Sequence, residues 1–550
     1  MSDQHYTRRK GRPETNPNDA ARHEYDVLVY GGTAGGLIAA LAAARSGSSV
    51  IVLEPGRHLG GMVTGGLSAT DAGNPSAIGG ITREYFERIG RVYGLDGPAW
   101  QHEPRVAEDV FNQMLTEQGV TVVFNAALIQ TGAVTRINRR IESVKTVTDH
   151  VYRAEQYIDA TYEGDLMAQA GVSYTLGRES SQQYREARAG IRPPVRFGYP
   201  GCAFDDRGLL PDIDDGPYGE IGEADHRIMA YTFRLCLTND PDNRIPFEKP
   251  DGYDPRRYTL LLPVFEARPD AKLGDLILPV GLPNRKIDVN NRPGLIVSTN
   301  LHNGSWDYPE ASYEIRQAIW EDHASYVKGF FYYLTNDERV PRKLRDEVSQ
   351  WGLPADEFQD SGGWPHQLYV RAGRRMIGGY VLTADDLLTE TSKPDAIAMG
   401  TYFLDSHRTR RVMMPNGDVA TEGGVGGEVN PYDIPYRALT PKADECGNLL
   451  VPVCLSSSGV AWCSLRMEPV FMALGHGAGL AASMAARSGV NVQDIDTNVL
   501  RQRLLIQKQV IGRTDLPTMK EHRHTPLLTP VVEAKDISVL KRKNHKPTPS

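Results

Sequence analysis

The pattern of apolar and polar positions in this chain is sharpest near its start. Tyr25–Tyr30 is almost wholly apolar, as in a strand buried on both faces. Leu37–Ala44 is apolar nearly all round and predicts a buried helix, with Gly47 as its left-handed stop. Val50–Leu53 predicts a second buried strand, ending at Glu54. Strand, glycine-rich turn, helix, strand and acid in that order make one half of a dinucleotide-binding unit.

Further along, the pattern predicts helices over Ile78–Gly94 and Arg105–Glu117, strand-rich chain from Gly119, and a small β-meander over Ile137–Val147 and Val151–Ile158. Between 178 and 370 prolines and glycines rise and aromatics are frequent. That region reads as an inserted domain with strands at Met229–Leu237, Tyr258–Val264 and Gly294–Asn300 and a long amphipathic helix over Tyr313–Asn336. Leu449–Cys454 predicts a buried strand. Pro469–Arg487 predicts a helix whose many glycines and alanines allow very close packing. The expected fold is therefore α/β: a Rossmann-like nucleotide-binding domain assembled from 24–175 and 410–490, with a mixed α+β substrate domain, 176–409, inserted between. A disordered tail, 1–23, and a helical extension with a polar tail, 491–550, are expected at the ends.

The turn itself is Gly31-Gly32-Thr33-Ala34-Gly35-Gly36. A diphosphate must approach backbone N–H groups at a helix start, where the helix dipole also favours negative charge. Gly31 supplies the tight turn and Gly36 the close helix–strand packing. Thr33 stands where the middle glycine of G-x-G-x-x-G is usual, and Glu54 is spaced to accept from a ribose hydroxyl. A second glycine cluster follows in Pro55, Gly60, Gly61 and Met62, then Gly65-Gly66. Chain that continues in this way suits an extended FAD better than a nicotinamide cofactor.

Composition narrows the partners. The 550 residues suffice for two or three domains. A net charge of −8 argues against nucleic acid, and no apolar run approaches the roughly 20 residues of a membrane helix. The first 23 residues lack the apolar core of a signal peptide. Five scattered cysteines have no metal-ligand spacing, so no metal is expected, and reduced thiols point to the cytoplasm. The partner expected is a small-molecule substrate.

The segment from Glu54 to Leu67, E-P-x-x-x-L-G-G-M-x-T-G-G-L, followed by Thr70-Asp71-Ala72-Gly73, resembles the FAD-dependent oxidoreductases of the two-dinucleotide-binding-domain type. The likeness extends to I-D-A-T-Y-E-G-D-L around Thr161 and Asp165, to the N…WDYP segment after Asn300, to Tyr369-Val370-Arg371, to Asp405-Ser406-His407 and to the R-M-E-P run of Arg466, Glu468 and Pro469. It implies that Gly31–Gly36, Glu54, Pro55, Gly60–Met62, Thr161, Asp165, Arg466, Glu468 and Pro469 bind FAD. Asp165 could instead cap the helix it opens.

Arg371, Arg374 and Arg375 lie among apolar residues, and at helical spacing 371 and 375 share a face. They serve either salt bridges to Asp385, Asp386 or Glu390, or an anionic substrate or reduced flavin. His407 is the candidate base and His302 a candidate proton carrier. Where members of the family carry histidine after S-x-S, this chain has Gly459. The expected activity is a dehydrogenase or oxidase that passes a hydride from a polar, sugar-like or acidic substrate to flavin N5. The alternatives are a monooxygenase using NAD(P)H and O₂, for which no second glycine motif is seen, and a flavin-binding protein without catalysis.

Overall fold

The computed structural model describes residues 24–516 except Phe197, Pro200 and Glu390; the expected tails beyond 24 and 516 lie outside it. The chain opens with β1 (Glu24–Tyr30), α1 (Ala34–Arg45) and β2 (Val50–Leu53). The helices α2 (Gly80–Val92) and α3 (Pro104–Glu117) follow, then β3 (Thr121–Val123), the meander β4 (Val134–Ile137) and β5 (Arg140–Lys145), and β6 (Val151–Asp159). Strand order is β3-β2-β1-β6-β5-β4. The first four are mutually parallel, β5 is antiparallel to β6, and β4 is antiparallel to β5. Alternate residues of the central strands face two separate cores: Val27, Val29, Val50 and Val52 toward the helices, Leu28, Tyr30, Ile51 and Leu53 toward the opposite face.

Distant chain completes this sheet. β5 pairs only with the start of β6, Val151–Arg153. Beyond it Leu449–Leu450 pairs in parallel with Tyr157–Ile158. The later helix α4 (Glu468–Ser488) lies against α1 at backbone distance. A Cβ on Gly475 would strike the Gly35 carbonyl oxygen, and one on Gly479 that of Ala39. The apolar Glu468–Ser488 helix is long and apolar enough to cross a membrane by length and composition, contrary to the expectation of no such run, yet 89% of its apolar window lies inside the fold.

The inserted region departs from expectation in several places. Tyr258–Val264 is helical rather than a strand, a 3-10 turn over Pro255–Leu261 running into Leu262–Ala267. Asp254 caps it by accepting from Arg256 N at 2.9 Å, with proline in the first turn. Of the expected Met229–Leu237 strand only the last three residues join a sheet, within the strand Leu235–Thr238, together with Ile277–Leu282 and Lys286–Asn291. Gly294–Asn300 is no strand, because side chains take its carbonyls: Thr232 donates to Thr299 O (2.6 Å), Tyr326 to Ser298 O (2.9 Å) and Arg411 to Ile296 O (3.1 Å). Tyr313–Asn336 is one helix, capped by Ser312. The hairpin Arg410–Met413/Val419–Glu422 bridges to Val195, Cys202 and Asp214. Chain just past 409 thus lies beside 195–214, and Leu449–Leu450 is where late chain pairs with the main sheet.

The backbone-to-backbone seam predicts a sharp penalty. G475A is expected to lower stability by about 1–3 kcal/mol or more, whereas G379A, whose Cβ meets nothing within 4 Å, should stay within about 0.5 kcal/mol. Thermal unfolding of the two variants beside wild type checks this; equal midpoints would show that the helices can separate freely.

Candidate active site

The glycine turn leaves no room for a side chain at Gly31 or Gly36. Gly31 has φ +97°, and a Cβ there would lie 2.8 Å from Thr161 Cγ2; one on Gly36 would strike Gly31 O. Thr33 has φ −66° and needs no glycine. Its Oγ1 accepts from Gly36 N at 3.2 Å, capping α1, and donates to Ala160 O at 2.7 Å. Ala34 and Gly35 form the first turn of α1, whose N–H groups have no acceptor within the helix.

Glu54 clamps the two glycine loops together. Its Oε2 accepts from Gly32 N at 2.7 Å and its Oε1 from Gly56 N, beyond Pro55, at 2.6 Å. Desolvation under the loops pushes its pKa up to about 7. Gly60 donates to Gly32 O at 2.7 Å, and Gly60 and Gly61 are left-handed. Met62 N donates to Tyr162 Oη at 2.9 Å, which donates to Glu468 Oε1 at 2.8 Å. Glu468, followed by Pro469, opens α4 and is 4% exposed. Its Oε2 and the Ser457 hydroxyl are buried without a protein partner, and burial pushes the Glu468 pKa up to about 8.

Asp165 does not cap the helix it opens: the cap position is Gly164. Asp159 organises that turn instead, accepting from Met167 N (2.8 Å), Thr161 N (3.1 Å) and Thr161 Oγ1 (2.7 Å). The Asp165 carboxylate is taken by Arg316 (2.6 and 2.9 Å) and Arg374 (2.7 Å).

A second cluster brings together residues 300–302, 369–371, 405–407 and 466. The segment around Arg371 is not helical; it is extended, with Tyr369 bridging to Thr232 and Arg375–Met376 pairing with Tyr174–Thr175. Gly373 threads it past Tyr162, whose carbonyl oxygen a Cβ would approach to 2.8 Å. None of the three arginines pairs with Asp385 or Asp386, and Glu390 lies outside the described residues. Arg374 meets Asp165 and Glu310, and Arg375 meets Glu179 at 2.6 Å. Arg371, 1% exposed, donates from Nη1 to Ala230 O (2.6 Å) and Asn300 Oδ1 (3.0 Å).

Asn300 Nδ2 lies 3.1 Å from His407 Nδ1. Arg466 sits here too, donating to Asp405 O (2.7 Å), Asp405 Oδ2 (3.1 Å) and the Tyr369 hydroxyl (3.2 Å). His302 is buried beside Arg411, with Arg411 Nη2 3.5 Å from its Nδ1. Burial, reinforced by nearby guanidinium groups, holds both histidines well below their ordinary pKa. Asn300 and Tyr369 were given no role from sequence, where Asn300 closes an expected strand and Tyr369 only marks the segment that carries Arg371.

Gly459 opens the helix Gly459–Leu465. Its N–H donates to Glu179 Oε2 at 2.9 Å, and a Cβ would sit 2.8 Å from that oxygen. The Glu179–Arg375 pair occupies the space a side chain there would need. A cavity of about 50 Å³ borders Gly459, Ala372 and Ser406, the last two being chain neighbours of Arg371 and His407. A larger cleft of about 600 Å³ lies elsewhere, between His58, Arg105 and the carboxylates Glu108, Asp356 and Asp360. Beside it Glu103, Asp356 and Glu357 surround Lys286 Nζ at 2.6, 2.8 and 2.6 Å, so an ammonium holds the centre where this triad could otherwise ligate a metal ion.

The family described as FAD dependent oxidoreductase matches residues 26–504. A vinyl phenol reductase of Lactiplantibacillus plantarum is 51% identical over 55 residues, 10% of this chain and 11% of that protein. Among solved structures, the anhydrotetracycline hydroxylase OxyS of Streptomyces rimosus shares 15% identity over 29% of this chain and 36% of its own, with a TM-score of 0.23. The L-proline dehydrogenase of P. horikoshii shares 17% over 28% and 58%, also at 0.23.

Two outcomes follow from the turn and from Glu468. T33V, which keeps the shape but loses both hydroxyl bonds, should cost about 1–2 kcal/mol, and T33S should restore most of it; thermal unfolding measures both. The folded chain keeps a proton on Glu468 that the unfolded chain loses above its ordinary value of 4.5. Stability from this group is therefore full below that pH and lost as pH rises through about 8. In flavin-free protein, E468Q should flatten the fall of the thermal midpoint between about pH 5 and 8.5; a slope equal to wild type would count against a protonated Glu468.

Proposed function

The chain belongs to the FAD dependent oxidoreductase family, and from that premise we propose that it is a dehydrogenase or oxidase of a polar small molecule. The residues of the first cluster fit FAD. The cradle of Gly31, Gly36, Gly60 and Gly61 is one that Cβ atoms would fill, and the orphaned Glu468 Oε2 and Ser457 hydroxyl stand ready for a polar cofactor. Gly31–Gly36, Glu54, Thr161 and Glu468 would hold it. Bound FAD supplies a two-electron acceptor.

The single observation that carries the reading is the cluster of Arg371, His407, Arg466 and His302, gathered from four separate segments into a nearly dry site. There the chain's own groups bind and orient the polar end of a substrate and keep water out. In such a reaction the substrate loses two electrons and two protons' worth of hydrogen. One hydrogen leaves carbon with the electron pair, and the other leaves the heteroatom as a proton to solvent. The net charge of −8 supports a small-molecule partner rather than nucleic acid.

Anaerobic screening of purified, yellow protein against a metabolite library tests this. Bleaching of the flavin absorbance by a polar metabolite alone is the expected result. Bleaching only with NAD(P)H would favour the monooxygenase reading, and no bleaching under either condition would favour a flavin that does not turn over.

A further inference from the structure

Arg371 is a buried cation without a counter-ion. Its Nε and Nη2 are buried and have no protein acceptor, and no carboxylate lies within ion-pair distance of it among the described residues. Nearby acids are committed elsewhere: Asp405 to Arg466 (3.1 Å), Asp288 to Arg234, and Asp71 to the Tyr402 hydroxyl (3.2 Å). The guanidinium stacks over the Tyr369 ring at 4.6 Å, which offsets only part of the cost of burying an unpaired charge. Burial pushes its pKa down to about 9, so it stays cationic at neutral pH.

The neighbouring amide fixes the histidine. Asn300 Oδ1 accepts from Arg371 Nη1 at 3.0 Å, so its Nδ2 is the atom 3.1 Å from His407 Nδ1. An amide NH₂ only donates, so His407 Nδ1 accepts, and in the neutral ring the proton sits on Nε2. Burial and the charges of Arg371, Arg466 and Arg234 keep that ring neutral. Nε2 is 3.9 Å from Asp405 Oδ2, too far for a hydrogen bond. The neighbourhood thus offers the guanidinium nitrogens Nε and Nη2 and one imidazole N–H as donors without a protein acceptor. The 50 Å³ cavity bordering Ala372 and Ser406 is also lined by Arg188, by Glu179 and by Arg227, the last paired with Asp225 at 3.2 Å.

We propose that Arg371 and His407 form a donor-only site for the carboxylate of an organic-acid substrate, with Asn300 as the positioning residue that locks His407 as a hydrogen-bond donor rather than a base. This rests on the oxidoreductase reading above and narrows its substrate to carboxylic acids.

The test titrates the FAD-loaded protein with propionate and benzoate, and separately with propionamide and benzamide, following the visible flavin spectrum. The acids should bind at least about tenfold more tightly than the amides, and R371K and R371M should each remove most of that difference. H407Q, which keeps an N–H donor, should bind the acids within about threefold of wild type, and H407A should weaken them about tenfold or more. N300D, which gives Arg371 a built-in carboxylate, should also weaken the acids. FAD content and thermal midpoint verify folding, and R371K serves if R371M does not fold. Equal binding of acids and amides, or acid binding unaffected in the Arg371 variants, overturns the proposal even if a neutral metabolite bleaches the flavin. Selective acid binding together with no bleaching by any metabolite in the anaerobic library leaves this site standing and sinks the dehydrogenase or oxidase reading instead.

Discussion

The contact on which this architecture depends is backbone against backbone. Over the crossing of Ala34–Arg45 and Glu468–Ser488, glycines on each helix face carbonyl oxygens on the other: Gly475 faces Gly35 O, Gly479 faces Ala39 O, and Gly35 faces Phe471 O. Helices normally sit 8–10 Å apart because side chains keep them so. Removing those side chains lets chain from more than 400 residues away reach the nucleotide turn. That closeness sets where Glu468 emerges. Its carboxyl reaches Tyr162, and Tyr162 reaches Met62, so the early glycine loops, the 160s turn and the late helix share one polar chain.

Charge accounting then separates structure from function. The region between the sheet and the inserted chain buries many ionic groups, and most are matched. Lys286 is enclosed by three carboxylates, Asp165 is held by Arg316 and Arg374, and Glu179 pairs with Arg375. Pairs of this kind add little net stability over apolar packing, but breaking one is costly, so they enforce a single arrangement of segments. Arg371 and Arg411 stand out against that background, because neither has a carboxylate partner among the described residues, and of the two Arg371 has two guanidinium nitrogens without an acceptor. An uncompensated buried cation persists only where the rest of the fold over-determines it, which is the usual mark of a site waiting for a ligand.

How much of this was legible in the sequence depended on the range of the interaction. The strand–turn–helix–strand start and the capped helix Tyr313–Asn336 follow from local periodicity, and both appear where the pattern puts them. The 255–267 helix was missed because its apolar run outweighed the Asp254-Pro255 start signal, itself local and readable. Arg371 and Arg375 were read as sharing a helical face, and the partners of all three arginines were missed, because Asn300, Asp165 and Glu179 lie 71, 209 and 196 residues from 371, 374 and 375. No spacing rule reaches that far. Gly459 shows the same limit: an absent histidine was visible, but not that Glu179 fills its place.

Thr33 makes a related point about motifs. A glycine in the middle of the turn is needed only if its Cβ would obstruct the ligand or if its backbone is left-handed. Here φ is −66°, and the hydroxyl is turned toward Ala160 O and Gly36 N. The side chain therefore stabilises the turn from its inner side, doing the work of a helix cap while tying the end of β1 to the end of β6. A consensus records one solution to a packing constraint, and a residue that meets the constraint by another route preserves the turn. What the turn cannot do without is the pair Gly31 and Gly36, whose backbones touch each other, and any account of this family's turn that ranks its glycines equally overlooks that difference.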